Sequence, residues 1–264
     1  MVRTFSPFKR CPFGELKVYP REISLCAWRL LLRKLLTLFV VTGVTFATFH
    51  NSVGHAEEVR PPLVFDPTAF QQSVDNPWFP LVPGTAFTLH ERKGKKVSVN
   101  VVTVTAQTKL IQGVNCVVVH DTVSRDGALK EDTYDWFASD QYGNVWYFGE
   151  DTRQFRKNGD VIRAGSWQAG VAGAEASLLL PASGVIGAPF KPEGLPGGGL
   201  SQVESFGDTV TVPMGTYSDT MRTGDWTSPE SKFEKKWYAK GVGFVRSESS
   251  NGEIVELISI TKSH

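Results

Sequence analysis

The segment KVSVNVVTVTA, residues 96–106, predicts a β fold, because β-branched side chains alternate with polar ones over most of its length. Valine and threonine suit the pleated surface of a strand, and a two-residue period places successive side chains on opposite faces. Related patterns occur in GVNCVVVHDTV (113–123), LKEDTYDWFA (129–138) and NVWYFGE (144–150). We therefore predict that these segments are β-strands.

Short connections separate the predicted strands: ERKGKK (91–96), IQGVN (111–115), SRDGA (124–128) and SDQYGN (139–144). Gly, Asn and Asp at such positions are typical of hairpins, and strands joined by hairpins pair antiparallel. Similar segments return between residues 206 and 261. We predict a mainly β fold of about eleven strands, a single large curled antiparallel sheet or open barrel, with a closed barrel or a two-sheet sandwich as alternatives.

One or two short helices are expected beside the strands. VFDPTAFQQSV (64–74) predicts a helix with Asp66 as N-cap and Pro67 as its first residue. The Ala/Gly-rich segment GSWQAGVAGAEASLLL (165–180) is compatible with a short helix or an irregular strand.

The N-terminal segment has the features of a secretory leader. Arg29, Arg33 and Lys34 precede the apolar run LLTLFVVTGVTFATF (35–49), and Gly54 and Ala56 fit a signal-peptidase site. We predict a leader over residues 1–56 that is cleaved after Ala56, and export to the periplasm or the medium. The apolar run is shorter than the roughly 20 residues of a membrane span, so no span is expected after cleavage; an uncleaved, membrane-held form is the alternative.

Loss of the leader would leave 20 Lys and Arg against 25 Asp and Glu, a net charge of −5 in place of +1. An acidic chain without a clustered basic face argues against nucleic acid as a partner. Residues 57–264 would keep Cys116 as their one cysteine, and so no internal disulfide. We predict one β domain over 57–264, with a Gly/Pro-rich flap at 181–202.

The acidic stretch EDTYDWFASDQYGNVWYFGEDT (131–152) contains six carboxylates, many aromatic residues and no Lys or Arg. A loop at SDQYGN predicts a hairpin in which Trp136 faces Tyr147 and Asp132 faces Asp151, while Asp135 points to the other face. Two aspartates directly opposite each other repel unless a cation lies between them. Asp132 and Asp151 are therefore candidate metal ligands, although no D-x-D-x-D-G calcium spacing is present.

The same residues permit three further interpretations. Cross-strand stacking of aromatic side chains would explain them without a ligand, and it is the interpretation that we favour. A hydrophobic ligand or a saccharide could lie on aromatic residues of a concave face; the candidates are Tyr134, Trp136, Trp146, Tyr147 and Trp237. A glycoside or ester hydrolase could use a carboxylate pair; the candidates are Asp132, Glu150 and Asp151.

Other chemistry has little support in the sequence. Cys116 and His120 lie four residues apart, about 13 Å along a strand, which is too far for direct proton transfer. His90 and His120 are too isolated to predict a zinc site, and no G-x-G-x-x-G or P-loop motif predicts a nucleotide. No cofactor is expected.

Three motifs carry a resemblance to known proteins: DNPWFPLVPGT (75–85), the acidic stretch 131–152 and GSWQAGVAGA (165–174). They resemble a family of exported bacterial proteins for which no activity is implied. KKWYAKGVGFVRS (235–247) is similar to a late hairpin of periplasmic curled-sheet proteins, including lipoprotein-carrier-like ones, and this similarity favours the open barrel. Together these features predict an exported, non-enzymatic binder of a small apolar or lipid-like ligand; the alternatives are the hydrolase and a calcium-stabilised structural module.

Overall fold

A computed structural model describes residues 65–195, 198–226 and 233–263. The predicted leader, its cleavage site after Ala56 and the predicted start of the mature domain at Glu57 lie outside the described residues.

Most described residues form β-strands, which confirms the prediction of a mainly β fold. Along the stretch 96–106, Ser98, Asn100, Val102 and Val104 are buried, and the residues between them are more exposed. This two-residue period packs one face of the strand. The strands, in chain order, are β1 (Phe70–Gln71), β2 (Thr85–Lys93), β3 (Lys96–Ile111), β4 (Val114–Arg125), β5 (Ala128–Asp140), β6 (Val145–Phe155), β7 (Val161–Ile162), β8 (Trp167–Gln168), β9 (Ser177–Leu180), β10 (Pro189–Phe190), β11 (Leu200–Phe206), β12 (Val210–Val212), β13 (Gly215–Tyr217), β14 (Thr220–Trp226), β15 (Phe233–Ala239), β16 (Gly243–Ser249) and β17 (Glu253–Lys262).

Helical structure among the described residues is limited to one 3-10 turn, Pro67–Ala69. Asp66 caps this turn as predicted, because its side chain accepts a hydrogen bond from the backbone N–H of Thr68 at 2.9 Å. The predicted helix does not continue, since Phe70 is extended and β1 pairs with the end of β5. This turn of three residues is the only helical segment in the described part of the chain, and it is too short to span a bilayer.

Fifteen strands belong to one antiparallel sheet, whose main path is β10-β11-β14-β15-β16-β17-β2-β3-β4-β5-β6-β7. Strands β2 to β6 form one meander and β14 to β17 form another. The C-terminal strand β17 pairs with β2 over Glu253–Lys262 and joins the two meanders. The two ends of the path are not paired with each other in the described residues, so the sheet is not a closed barrel. Strands β12 and β13 form a separate hairpin.

The sheet curls around an inner segment, residues 74–81. Phe79 of this segment is 2% exposed, and its ring centroid lies 5.6 Å from that of Phe137 and 6.4 Å from that of Tyr238. Phe137 is on β5 and Tyr238 is on β15, with five strands between them in the sheet. One ring can contact both only if the sheet bends round it. We call the face that packs on Phe79 the inner face.

Hydrogen bonds fix both ends of the inner segment. The N–H of Leu81 donates to the carbonyl of Val74 at 2.8 Å, and the N–H of Gly241 donates to the carbonyl of Pro77 at 2.7 Å. The buried side chain of Asn76 donates to the carbonyl of Gly143 at 2.7 Å. Prolines prevent this segment from pairing as a strand, and the side-chain and turn bonds satisfy its polar groups instead.

A short connection, residues 189–194, bridges the two margins of the curled sheet, and we call it the strap. At one end β10 pairs with β11. At the other end the carbonyl of Gly194 accepts the N–H of Glu175 at 2.9 Å, and the carbonyl of Pro192 accepts the hydroxyl of Ser177 at 3.2 Å. Ser177 lies in β9, which pairs with β6. The strap is part of the Gly/Pro-rich segment 181–202, for which the sequence predicts a flap.

Candidate functional site

A small apolar cavity lies on the inner face, between the sheet and the inner segment. Its volume is about 20 Å³, which is room for about one water molecule. Phe137 and Asp135 of β5 contribute to its wall, and Asp135 is its one ionisable lining residue. The remaining lining residues are Phe79, Pro80, Leu81, Phe87, Leu89, Val102, Val119, Val242, Gly243 and Phe244.

A β-bulge in β6 determines which polar groups reach the wall of this cavity. Phe137 pairs with Tyr147, but Trp136 pairs with Gly149, so Phe148 is an extra residue on β6. Gly149 has φ of +126°, a conformation open mainly to glycine. Without the bulge, Tyr147 and Glu150 would point to opposite faces, since they are three residues apart. With it, both reach the inner face.

The bulge produces a buried cluster of two carboxyls and one phenol. Asp135 and Glu150 are cross-strand partners that are 5% and 7% exposed. The hydroxyl oxygen of Tyr147 lies 2.6 Å from Asp135 Oδ1 and 2.9 Å from Glu150 Oε2. A phenol has one proton to donate, so both contacts are hydrogen bonds only when one of the carboxyls supplies a second proton. This cluster can hold and exchange a proton at the edge of an apolar space.

A second polar region continues along the inner face, away from Phe79. Glu91 of β2 and Glu253 of β17 are 3% and 2% exposed. Burial, followed by the negative charge of Glu253, raises the pKa of Glu91 to about 9. When both groups are ionised, Glu91 Oε2 and Glu253 Oε1 have no hydrogen-bond donor; a proton retained on Glu91 provides one.

Lys236 balances part of the remaining charge in this region. Its Nζ lies 2.8 Å from Asp225 Oδ2 and 3.7 Å from Glu234 Oε2, and all three residues are on the inner face of β14 and β15. Burial alone would lower the pKa of Lys236, but the charges of Asp225 and Glu234 outweigh it, so the net direction is upward. Burial raises the pKa of Glu234 to about 7, although the positive charge of Lys236 acts to lower it. The region therefore holds the buried cation of Lys236 together with two carboxyls, Glu91 and Glu234, whose pKa is raised.

The structure distributes the five predicted ligand-binding aromatics over three places. Tyr147 is on the inner face, where its ring stacks on Phe137 at 4.8 Å. Trp136 and Trp146 lie on the other face of β5 and β6, in a separate core cluster. Tyr134 packs against that cluster. Trp237 alternates with Tyr238 on β15 and so faces away from the inner cavity. Trp136 and Tyr147 therefore belong to different core clusters, while Trp237 is in the same cluster as Tyr147 but points away from the inner cavity.

The separate core cluster that contains Trp136 and Trp146 has the interactions of a packed structural element. Lys109 Nζ lies 3.2 Å from the centroid of the Trp136 ring, and Trp146 Nε1 donates to Asp140 Oδ2 at 2.9 Å. Phe70 of β1 covers Trp146 edge-on at a centroid distance of 5.8 Å. In these contacts Trp136 and Trp146 pack within the fold, through a cation–π contact, a hydrogen bond and an edge-on aromatic contact.

The predicted facing pair of Asp132 and Asp151 does not form. The strands are offset from the predicted register by one residue at the turn, where Ser139 pairs with Val145, and by one more at the bulge. Asp132 therefore pairs with Arg153, and Asp151 pairs with Tyr134. Asp132 Oδ1 lies 2.7 Å from His120 Nε2, and Asp132 Oδ2 lies 3.1 Å from Arg153 Nη2, so cationic or hydrogen-bonding groups already occupy both oxygens.

Asp151 is also partnered, since its Oδ1 accepts from Arg163 Nη1 at 2.6 Å. Glu150, the third carboxylate candidate, is on the inner face. No group of three or more potential metal ligands occurs within residues 65–195, 198–226 and 233–263.

The predicted register places Asp135 on the face opposite to that of Tyr147, although the two side chains share one face in the structure. The turn determines this face: Ser139, in place of Ala138, pairs with Val145, so Phe137 lies opposite Tyr147 and Asp135 shares its face. Gly149 could have signalled only the bulge that adds Glu150, because an isolated glycine in a strand often marks a bulge. Cys116, by contrast, is fully buried, and burial raises the pKa of its thiol to about 12. This cysteine therefore stays protonated and packs as a small apolar side chain.

Comparisons with known proteins give structural similarity without a sequence match. No protein-family model matches the chain, and the search of curated proteins gives no match. A candidate exported protein with a YmcC-like fold from Bacteroides fragilis is 16% identical, with a TM-score of 0.40 over 70% of this chain and 99% of that one. A candidate lipoprotein from Parabacteroides distasonis is 15% identical, with a TM-score of 0.40 over 70% of this chain and 98% of that one.

Proposed function

We propose that the protein is exported and binds a small apolar or lipid-like ligand, without catalysis, at the inner cavity. The observation that carries this proposal is an apolar cavity wall with one carboxyl at its edge. Ligand sites in proteins are mostly apolar, with a few polar groups that fix the orientation of the ligand. Asp135, held by the hydroxyl of Tyr147, would be that polar group.

Room for a ligand has to come from movement of the chain, because about 20 Å³ holds no more than a water molecule. Two connecting segments form one side of the cavity: residues 79–81, and residues 242–244 around the start of β16. The bond from Gly241 N–H to the Pro77 carbonyl joins them. Displacement of residues 79–81 together with Val242 would open the apolar inner face, while Gly243 and Phe244 stay paired with β15.

The binding test uses the neutral fluorescent probe N-phenyl-1-naphthylamine. Val102→Phe places a larger ring in the cavity, and Val99→Phe is the matched control, since Val99 lies on the same strand at 38% exposure. We expect saturable fluorescence enhancement with the native chain and with the control, and at least a tenfold weaker response with Val102→Phe. Val102→Ile adds one methylene group and provides a milder block if Val102→Phe does not fold. Equal binding by all variants, or no binding by the native chain, would contradict the proposal.

The export part of the proposal has its own measurement. When the full chain is produced in a secreting bacterial host, the mass of the released protein should correspond to a chain that begins at Glu57. Retention of residues 1–56 on a membrane-bound product would support the uncleaved alternative instead.

A hydrolase is the second candidate, and the observation that favours it is the proton-sharing cluster of Asp135, Tyr147 and Glu150. When two carboxyls share a site, their pKa values are pushed apart, so that one can serve as a general acid and the other as a base. We expect Asp135→Asn to abolish any turnover of nitrophenyl esters or glycosides by the native chain. Asp132→Asn is the control, because Asp132 is not on the inner face. If Asp132→Asn loses turnover while Asp135→Asn keeps it, the reaction takes place on the face of the sheet opposite the inner face.

A further inference from the structure

A groove of about 410 Å³ lies on the surface of the sheet that faces away from the inner cavity. The β12–β13 hairpin covers part of β16 and β17 there, and the groove opens between this hairpin and strands β14 to β16. Its volume is within the range of about 300 to 1,000 Å³ that small-molecule sites occupy. The groove is independent of the proposed apolar site, since none of its lining residues lines the inner cavity.

Trp237 is the aromatic residue of the groove. It is 9% exposed and belongs to the same buried cluster as Val210 and Val212 of the hairpin. Ordinary strand pairing opposite Arg222 fixes its direction, away from Tyr238. The indole is therefore held by the core while it forms part of the groove wall.

Two arginines in the groove are held in position by carboxylates. Arg222 donates from Nε to Glu204 Oε2 at 2.9 Å and from Nη1 to Asp208 Oδ2 at 2.6 Å. Arg246 donates to Glu248 Oε1 from Nε at 2.9 Å and from Nη2 at 2.6 Å, and to Glu256 Oε1 from Nη1 at 2.5 Å. A guanidinium with two fixed bonds keeps its plane, so the groove offers pre-oriented donors beside carboxylate acceptors.

The charges of the groove lining are balanced. Asp208 and Glu248 oppose Arg222 and Arg246, and the remaining lining residues are Thr209, Val210, Thr211 and Trp237. An anionic ligand would meet the two carboxylates, and a lipid-like ligand would desolvate four charged groups without replacing their hydrogen bonds. A ligand that fits must be neutral, with many hydroxyls and one apolar face.

We propose that this groove binds a neutral saccharide. A pyranose ring presents C–H groups that can pack on an indole, and its hydroxyls both donate and accept hydrogen bonds. The arginine and carboxylate planes supply the complementary partners at fixed positions. Binding here does not depend on the proposed apolar site.

The test is an array of neutral and acidic oligosaccharides, probed with the purified chain. Thr211→Trp places a bulky side chain in the groove from an exposed position. Thr216→Trp is the matched control, because Thr216 pairs directly with Thr211 and is exposed but does not line the groove. We expect binding to neutral glycans that weakens at least tenfold in Thr211→Trp and stays within twofold of native in Thr216→Trp.

Three results would overturn the inference: no neutral glycan bound, preference for acidic glycans, or equal binding by Thr211→Trp and the native chain. If Thr211→Trp does not fold, Arg246→Lys decides the question, because it keeps the charge and removes the planar donor pair. It should then reduce glycan binding at least tenfold. The cavity variant Val102→Phe should leave glycan binding unchanged, which separates this site from the apolar one.

Discussion

Gly149 determines which side chains share a face at the candidate site. Its backbone conformation lets β6 carry the extra residue Phe148, and the bulge brings Glu150 to the face that Tyr147 and Asp135 share. A Cβ atom at position 149 would lie 2.2 Å from the carbonyl oxygen of Trp167. The conformation and the close approach of β8 therefore both require glycine here.

Gly149→Ala should lower the free energy of unfolding by at least about 2 kcal/mol, because it adds backbone strain to a steric conflict with a neighbouring strand. Urea denaturation followed by circular dichroism measures the change. Gly215→Ala is the control, since a Cβ there meets no atom within 4 Å. Similar losses of unfolding free energy in the two variants would show that the bulge does not require glycine at position 149.

Glu91 makes stability depend on pH in a defined direction. Its pKa is about 9 in the fold, against an ordinary value of 4.5, so between these limits the unfolded chain has lost a proton that the folded chain keeps. The free energy of unfolding should fall as pH rises through this window, by up to about 1.4 kcal/mol per pH unit for one proton. Glu234, with a pKa of about 7, adds to the fall below pH 7.

Glu91→Gln should flatten the decline between pH 7 and pH 9, because the amide cannot ionise. Urea denaturation of the native and variant chains across this range gives the two slopes. If the variant loses stability as steeply as the native chain, another group titrates there and the assignment to Glu91 fails.

At the scale of the elements, alternation in sequence predicts the long strands, and burial in β3 follows it residue by residue. The register of β5 on β6 is not predictable in this way, since one extra residue reverses the face of every side chain beyond it. A one-residue offset at the turn and the extra residue at the bulge both change the site: Asp132 and Asp151 separate, and Asp135 joins Glu150. Local sequence patterns also fail to predict the packing of the inner segment, because its packing partners are distant in sequence.

Phe79→Ala should cost about 3 to 5 kcal/mol of unfolding free energy, since the buried ring links β5 to β15 and its removal leaves a cavity. Phe206→Ala is the matched control, because Phe206 is 40% exposed and contacts Trp78 at the edge of the same segment. The control should cost about 1 kcal/mol. Equal costs in urea denaturation would mean that the inner segment does not hold the curl.

At the scale of the whole molecule, two features hold a bent sheet whose ends do not pair. The inner segment fills the hollow, and the strap connects β11 with β9 across the gap. Sequence composition identifies residues 181–202 as a long Gly/Pro-rich connection, but it does not show that the carbonyls of Pro192 and Gly194 bond to residues 177 and 175. That information is tertiary, since it depends on how far the sheet has curled.

Gly194→Ala tests whether the strap closes the molecule. A Cβ at position 194 would lie 1.5 Å from the carbonyl oxygen of Glu175, a backbone atom that cannot move alone, so the strap must detach on that side. We expect faster amide hydrogen exchange at residues 175–177, 186–195 and 198–203, while β3, β4 and β5 keep native protection. Ala188→Ser, at an exposed strap-adjacent position, should exchange like the native chain. Unchanged exchange in Gly194→Ala would mean that the strap is dispensable, and that the inner segment and the β17–β2 pairing are sufficient to hold the curl.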